Sequence, residues 1–244
     1  MIETYELLID ALKAYRNRFD GGADAWFRLP DEIKTLLNEK HQIAPANVSP
    51  VLLKNILATK ARELDPRFIV DENAKRVIEK LVTWLIDRPM SGSVPKGVMI
   101  MGKVGCGKTT IIKALKDLCR WFVSDFDHTL NLAYVPSYLI VDGYNTQGAA
   151  VFDSTIKVGS EYTNTTNGSL IIDDLGAETL GSHFGKMENV LEGVILRRYD
   201  NRSLTFATTN LAQSQIAEFY GPRAWSRMTE MFLFLEYKGN DRRQ

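Results

Sequence analysis

The chain has 244 residues, enough for one large domain or for one domain with a small appendage, and its apolar (45%) and charged (25%) fractions are those of an ordinary globular protein. Thirty basic residues offset thirty acidic ones, so no global basic field points to nucleic acid, and any such contact must be a local patch. Two cysteines (Cys106 and Cys119) and three scattered histidines (His41, His128 and His183) exclude a disulfide framework and show no metal-ligand spacing.

Residues 2–19 read as an amphipathic helix with Leu7, Leu8, Ala11, Leu12 and Tyr15 on one side. Glu3, Glu6 and Asp10 interrupt its apolar residues, which argues against a signal peptide, and no apolar run is long enough to span a bilayer. The expected compartment is therefore the cytoplasm. Gly21-Gly22 breaks the helix, a second is expected from about Asp31 to Lys40, and a third starts at Ser49-Pro50, a cap followed by proline at the first helical position. Residues 1–65 accordingly read as a helical N-terminal appendage, either packed on the main domain or docking a partner, and residues 66–244 as the main domain.

Asp65 to Val70 reads as an extended linker, Asp71 as the cap of a helix carrying Val77, Ile78, Leu81, Val82 and Leu85, and Pro89 to Lys96 as a loop. Val98 to Met101 then forms an unbroken apolar run, as a strand buried on both faces requires. Gly102-Lys103-Val104-Gly105-Cys106-Gly107-Lys108-Thr109 follows and fits G-x-x-x-x-G-K-[ST]. A helical pattern comes next, with Ile111, Ile112, Leu115, Leu118, Cys119 and Phe122 on one face. Glycines let successive backbone N–H groups point inward, and the helix start adds its positive dipole end, so this stretch, with Thr110 at its exit, makes an anion cradle. Lys108 is expected to reach the β- and γ-phosphates of a nucleoside triphosphate and the Thr109 hydroxyl to ligate Mg²⁺.

Leu130 to Val135 reads as the next strand and Tyr138 to about Asn145 as a short helix. Residues 148–168, rich in glycine, threonine and asparagine, read as a long loop. Ser169 to Gly176 holds three apolar residues and then Asp173-Asp174. Alone that pattern is weak and fits capping or solvated aspartates. After a P-loop it reads as a Walker-B strand, with Asp173 holding the Mg²⁺ shell and Asp174 orienting or deprotonating the attacking water. A helix is expected over Lys186–Asp200, its Arg197-Arg198 end either solvated or facing another subunit. Leu204 to Asn210 is a further strand, whose terminal Asn210 is either a turn residue or a partner of the γ-phosphate or its attacking water. Met231 to Leu235 is the last strand.

Together these pieces resemble the AAA+ ATPases, and within them the DnaC/IstB-like helicase-loader and transposition-helper group. The matching residues are Lys96-Gly97 through Thr109, Leu170 to Gly176 with its Asp-Asp-Leu-Gly, Arg198-Tyr199, Thr208-Thr209-Asn210-Leu211 and Ser226-Arg227-Met228. The resemblance implies an α/β P-loop NTPase fold, a three-layer sandwich around a central parallel five-stranded sheet, with no helical lid after the last strand. It implies that Asn210 acts as sensor 1 and Arg227 as an arginine finger completing a neighbouring subunit's site, with Arg223 as runner-up. It also puts Phe68 and Ile69 over the adenine and a single-stranded DNA contact in 148–168. Self-association through the ATP site and a replicative helicase or transposase as client follow from the same resemblance.

Two departures bear on activity. Asp174 stands where most AAA+ proteins have glutamate, one methylene longer, so slow hydrolysis is expected, and residues 1–65 hold no cysteines for a zinc-bound N-terminal domain. Two other readings remain open. A P-loop kinase of a small metabolite needs an arginine-rich lid, whereas residues 140–168 contain one basic side chain, Lys157. A non-hydrolysing, ATP-switched adaptor needs only the binding half of the site.

Overall fold

Strand β1 (Gly97–Met101) is buried along its whole length, with parallel neighbours on both sides. The structure, a computed structural model, describes residues 44–88, 96–123, 129–157, 168–239 and 241. The helices expected over 2–19 and 31–40, and nearly all of the loop before β1, lie outside these residues.

The other strands are β2 (Leu132–Pro136), β3 (Ser169–Leu175), β4 (Gly181–His183), β5 (Lys186–Glu188), β6 (Thr205–Thr209) and β7 (Phe232–Glu236). The helices are α1 (Pro50–Leu64), α2 (Glu72–Asp87), α3 (Lys108–Arg120), α4 (Ser137–Gln147), α5 (Ala150–Lys157), α6 (Val190–Asp200) and α7 (Gln213–Met231). Five strands form one parallel sheet in the order β2-β3-β6-β1-β7. Side chains alternate across it. Val98, Ile100, Ile171 and Phe206 join a core with α1, α2 and α3, while Met99, Met101, Ile172 and Ala207 join another with α4 to α7. The result is the expected three-layer sandwich. In α1, Leu53, Ile56, Leu57 and Ala61 are buried in the first of these cores. No described helix is long and apolar enough to cross a membrane.

Local chemistry sets the helix ends. The Asp71 carboxylate accepts the Ala74 N–H at 2.7 Å and caps α2, whereas Ser49 occupies the cap of α1 without a side-chain bond.

Four sequence expectations need correction. The helix expected from Lys186 starts at Val190, because Asn189 caps it by accepting the Glu192 N–H. Residues 186–188 instead pair with β4 across a turn in which Phe184 and Gly185 both have positive φ (48° and 79°), as a two-residue hairpin turn of this hand requires. The stretch before the last strand, given no element, is the long helix α7, broken at Gly221 (φ 77°, ψ 167°) with Pro222 starting its second segment. Part of the loop expected over 148–168 is helix α5.

Arg198, read as a solvated or interface residue, is fully buried. Its guanidinium donates to the carbonyls of Thr155, Gly168 and Leu204 and to the Thr205 hydroxyl. Burial lowers its pKa to about 9, so it stays charged at neutral pH. Its neighbour Arg197 lies over the Phe152 ring, 3.8 Å from the centroid.

Candidate nucleotide site

The site lies at the carboxyl ends of the strands. Leaving β1, the chain makes a tight loop in which Gly105 (φ 77°) and Gly107 (φ 101°) take conformations that side chains disfavour. Gly107 is also the N-cap of α3, so no cap side chain competes for the first helical amides. The loop is packed from outside by the chain's C-terminal stretch. A Cβ added at Gly102 would run into the Tyr237 carbonyl, and one at Gly105 into the Asp241 carboxylate. Cys106 is fully buried beneath the loop, and neither cysteine forms a disulfide.

Lys108, 4% exposed, holds its ammonium inside the loop. It donates to the carbonyls of Gly102 (2.8 Å) and Lys103 (2.9 Å) and to Asn210 Oδ1 (2.7 Å). Asn210 arrives there because β6 is hydrogen-bonded beside β1 and ends at the same level. The Thr109 hydroxyl lies 3.0 and 3.1 Å from the two Asp173 carboxylate oxygens.

The carboxylates of Asp173 and Asp174 separate because β3 is irregular between Ile172 and Leu175, where Asp174 takes φ 55°. Asp173 is buried at 4% exposure, and Asp174 is exposed and lines the cleft. Three hydroxyls converge on Asp173. Besides Thr109, Thr208 donates to Oδ1 and Tyr134 donates to Oδ2 at 2.6 Å. Tyr134 is two residues before Pro136, the register partner of Asp173, so it reaches the carboxylate diagonally on one face. Burial, then the carboxylate, raises the Tyr134 pKa and keeps its phenol a donor. Thr208 also accepts the Asp174 N–H at 2.9 Å, Ser137 donates to the Asp174 carbonyl, and Thr209 donates to the Leu175 carbonyl at 2.6 Å. Sequence reasoning missed Tyr134, Ser137 and Thr208; only the strand pairing reveals them.

The cleft is bounded by Val104, Gly105, Lys108, Thr109, Asp174 and Asn210. Its other wall comes from Asp65, Arg67 and Phe68, with Phe68 anchored in the core and Ile69 turned outward at 61% exposure. Gly107 and Thr110 complete the lining. Arg223 and Arg227 lie on α7 and are not among the lining residues. Arg227 stacks over the Tyr199 ring at 4.4 Å and sits 3.5 Å from Glu230.

The donor set fits a hard cation. Thr109 and Asp173 supply oxygen only, and among the described residues no cluster of three metal-ligating side chains forms an all-protein cage. One carboxylate and one hydroxyl beside the start of α3 suit Mg²⁺, which keeps waters and takes its remaining oxygen ligands from outside the protein.

No family model matches the chain, and no curated protein matches it. Solved structures do. The DnaC helicase loader superposes with a TM-score of 0.51 at 17% identity, over 72% of this chain and 96% of that one. The DnaI structure gives 0.51 at 18% identity, over 78% and 93%. A candidate primosome component from Streptococcus pyogenes serotype M3 gives 0.52 at 16% identity, over 75% and 90%. The chain shares its fold with these three structures.

Proposed function

We propose that this chain is an ATPase that binds Mg·ATP in the cleft and acts as a DnaC-like accessory factor for a replicative helicase or a transposition protein. The observation that carries the binding half is the convergence of Lys108 on Asn210 and of Thr109 on Asp173 from three separate segments. Lys108 would exchange carbonyl acceptors for β- and γ-phosphate oxygens, with amides of Gly105 to Thr110 completing the cradle. Thr109 and Asp173 would hold Mg²⁺, which when bound neutralises charge on the phosphates. Asp174, exposed at the cleft, would orient the attacking water, and Asn210 would hold it or the γ-phosphate. Phe68 and Ile69 lie on the segment that would cover the base.

Self-association through the ATP site is part of the same proposal. Arg227, with Arg223 as runner-up, is off its own cleft, so either would serve the site of a second copy. The loader role is supported by the shared fold and by the motif order around Asp173, Asn210 and Arg227. A single-stranded DNA contact in 148–168 belongs to the same reading. The test is a mass measurement of the protein with ATP and single-stranded DNA, with and without a replicative helicase. A discrete ATP-dependent assembly that takes up the helicase supports the role. A monomer under every condition, with turnover independent of protein concentration, overturns it.

A further inference from the structure

Glu178 is a buried carboxylate (8% exposed) that none of the steps above employs. Its two oxygens have separate partners. Oε2 accepts the Gly176 N–H at 2.7 Å, and Oε1 accepts the hydroxyl of Tyr220, itself 2% exposed. Gly176 (φ 90°) sits in the turn that leaves Asp173-Asp174, where the Ala177 N–H returns to the Asp174 carbonyl at 3.1 Å. Leu211, just after Asn210, packs so closely on Gly176 that an added Cβ would clash with it. Tyr220 is the last residue before the break in α7. The next residue, Gly221, has open space around its Cβ position, and the segment beyond carries Arg223 and Arg227. A buried carboxylate is a costly way to join two elements that apolar side chains could join. What it adds is direction, since one carboxylate fixes a backbone amide and a phenol at once.

We propose that Glu178 is a positioning residue that latches the turn after Asp174 to Tyr220, and so sets where the α7 arginines stand. The inference rests on the proposed ATPase reading. In this arrangement Glu178 ties the turn after Asp174 to the last residue before the Gly221 break, and so fixes the point from which the arginine-bearing segment, itself seated in the core by Ala224 and Met228, sets out. Breaking the bridge should leave a copy able to bind ATP but poor at completing its neighbour's site.

The test mixes variant chains at equal concentration and measures phosphate release. Tyr220→Phe alone is expected to lower kcat at least tenfold with KM within twofold. Mixing it with Lys108→Ala, which keeps its arginines but not its phosphate site, should restore turnover. Mixing it with Arg227→Ala should not. Rescue by both partners, rescue by neither, or a change confined to KM would overturn the latch. Glu178→Gln can still accept from Gly176 and donate to the Tyr220 oxygen, so it should stay within twofold of the unmutated protein. A loss as deep as that of Tyr220→Phe would count against the bridge. A mixture of Lys108→Ala with Arg227→Ala serves as control. If that mixture is silent, the shared-site reading itself fails, and the latch with it.

Discussion

Lys108 Nζ and Asn210 Oδ1 stand 2.7 Å apart although 102 positions separate them in the chain. The sheet order causes this: β6 lies beside β1, so the loop leaving one strand and the residue ending the other must meet. Among the ammonium's partners are the neutral oxygens of Gly102, Lys103 and Asn210, and a triphosphate would offer it charged ones, which make stronger bonds. Lys108→Ala should therefore abolish binding of a fluorescent ATP analogue in titration. Asn210→Ala removes one preorganised group beside the proposed phosphate site. It should leave affinity within about threefold and cut turnover by on the order of 10²–10³. Unchanged binding by Lys108→Ala would remove the phosphate-site assignment.

The hydroxyls around Asp173 yield a metal-dependence prediction. Thr208 is fully buried and makes two bonds, one to Asp173 and one from the Asp174 amide. Thr208→Val leaves both groups short of a partner and should cost about 1–3 kcal/mol in denaturant unfolding. Tyr134→Phe removes one donor from a half-buried phenol and should cost less, about 0.5–1.5 kcal/mol. Both variants should need more Mg²⁺ for half-maximal nucleotide fluorescence, while binding in chelator stays as in the unmutated protein. A Mg²⁺ midpoint that does not move would remove both hydroxyls from the proposed metal site.

Arg198 gives the largest stability effect expected outside the site. Arg198→Met takes the guanidinium donor away from the Thr155 and Gly168 carbonyls and the Thr205 hydroxyl, while the Leu204 carbonyl keeps the Leu170 N–H. A loss of about 3–5 kcal/mol follows from several unsatisfied buried groups. For a domain of this size that is roughly 6–20 °C in Tm by calorimetry. Arg198→Lys keeps the charge but not the planar fork, and should recover less than half of the loss.

How far the chain could be read follows from where each signal resides. Parallel strands buried on both faces leave unbroken apolar runs, so Val98 to Met101 and Leu170 to Ile172 were legible directly. The phosphate loop was legible because glycines at positive φ cannot be replaced cheaply. The Phe184-Gly185 turn was missed because Phe184 takes a φ that phenylalanine rarely adopts. Helix α7 was missed because Gly221-Pro222 reads as a stop although the chain resumes helix beyond it. Arg198 carries no local mark, since its acceptors include Thr155 and Gly168, 43 and 30 positions away. Tyr134 was invisible for the same reason, its partner lying 39 positions on.

Arg227 separates a structural role from a catalytic one by magnitude alone. Its side chain is 39% exposed, its contact with Glu230 is long at 3.5 Å, and its stacking on Tyr199 is at the surface. Exposed ion pairs contribute about 0–1 kcal/mol and exposed cation–π contacts about 0.5–1 kcal/mol. Arg227→Ala should therefore lower Tm by no more than about 8 °C. If Arg227 completes a neighbour's site, turnover should nevertheless fall by about 10³–10⁵, the range that arginine fingers supply. ATP affinity in dilute protein should be unchanged, because the residue is off its own cleft. Steady-state phosphate release over a hundredfold range of protein concentration decides the matter. The unmutated protein should gain specific activity as it concentrates, and Arg227→Ala should stay flat and low. Specific activity in Arg227→Ala that rises in parallel with the unmutated protein would remove Arg227 from the shared site and leave Arg223 to be tested in the same way.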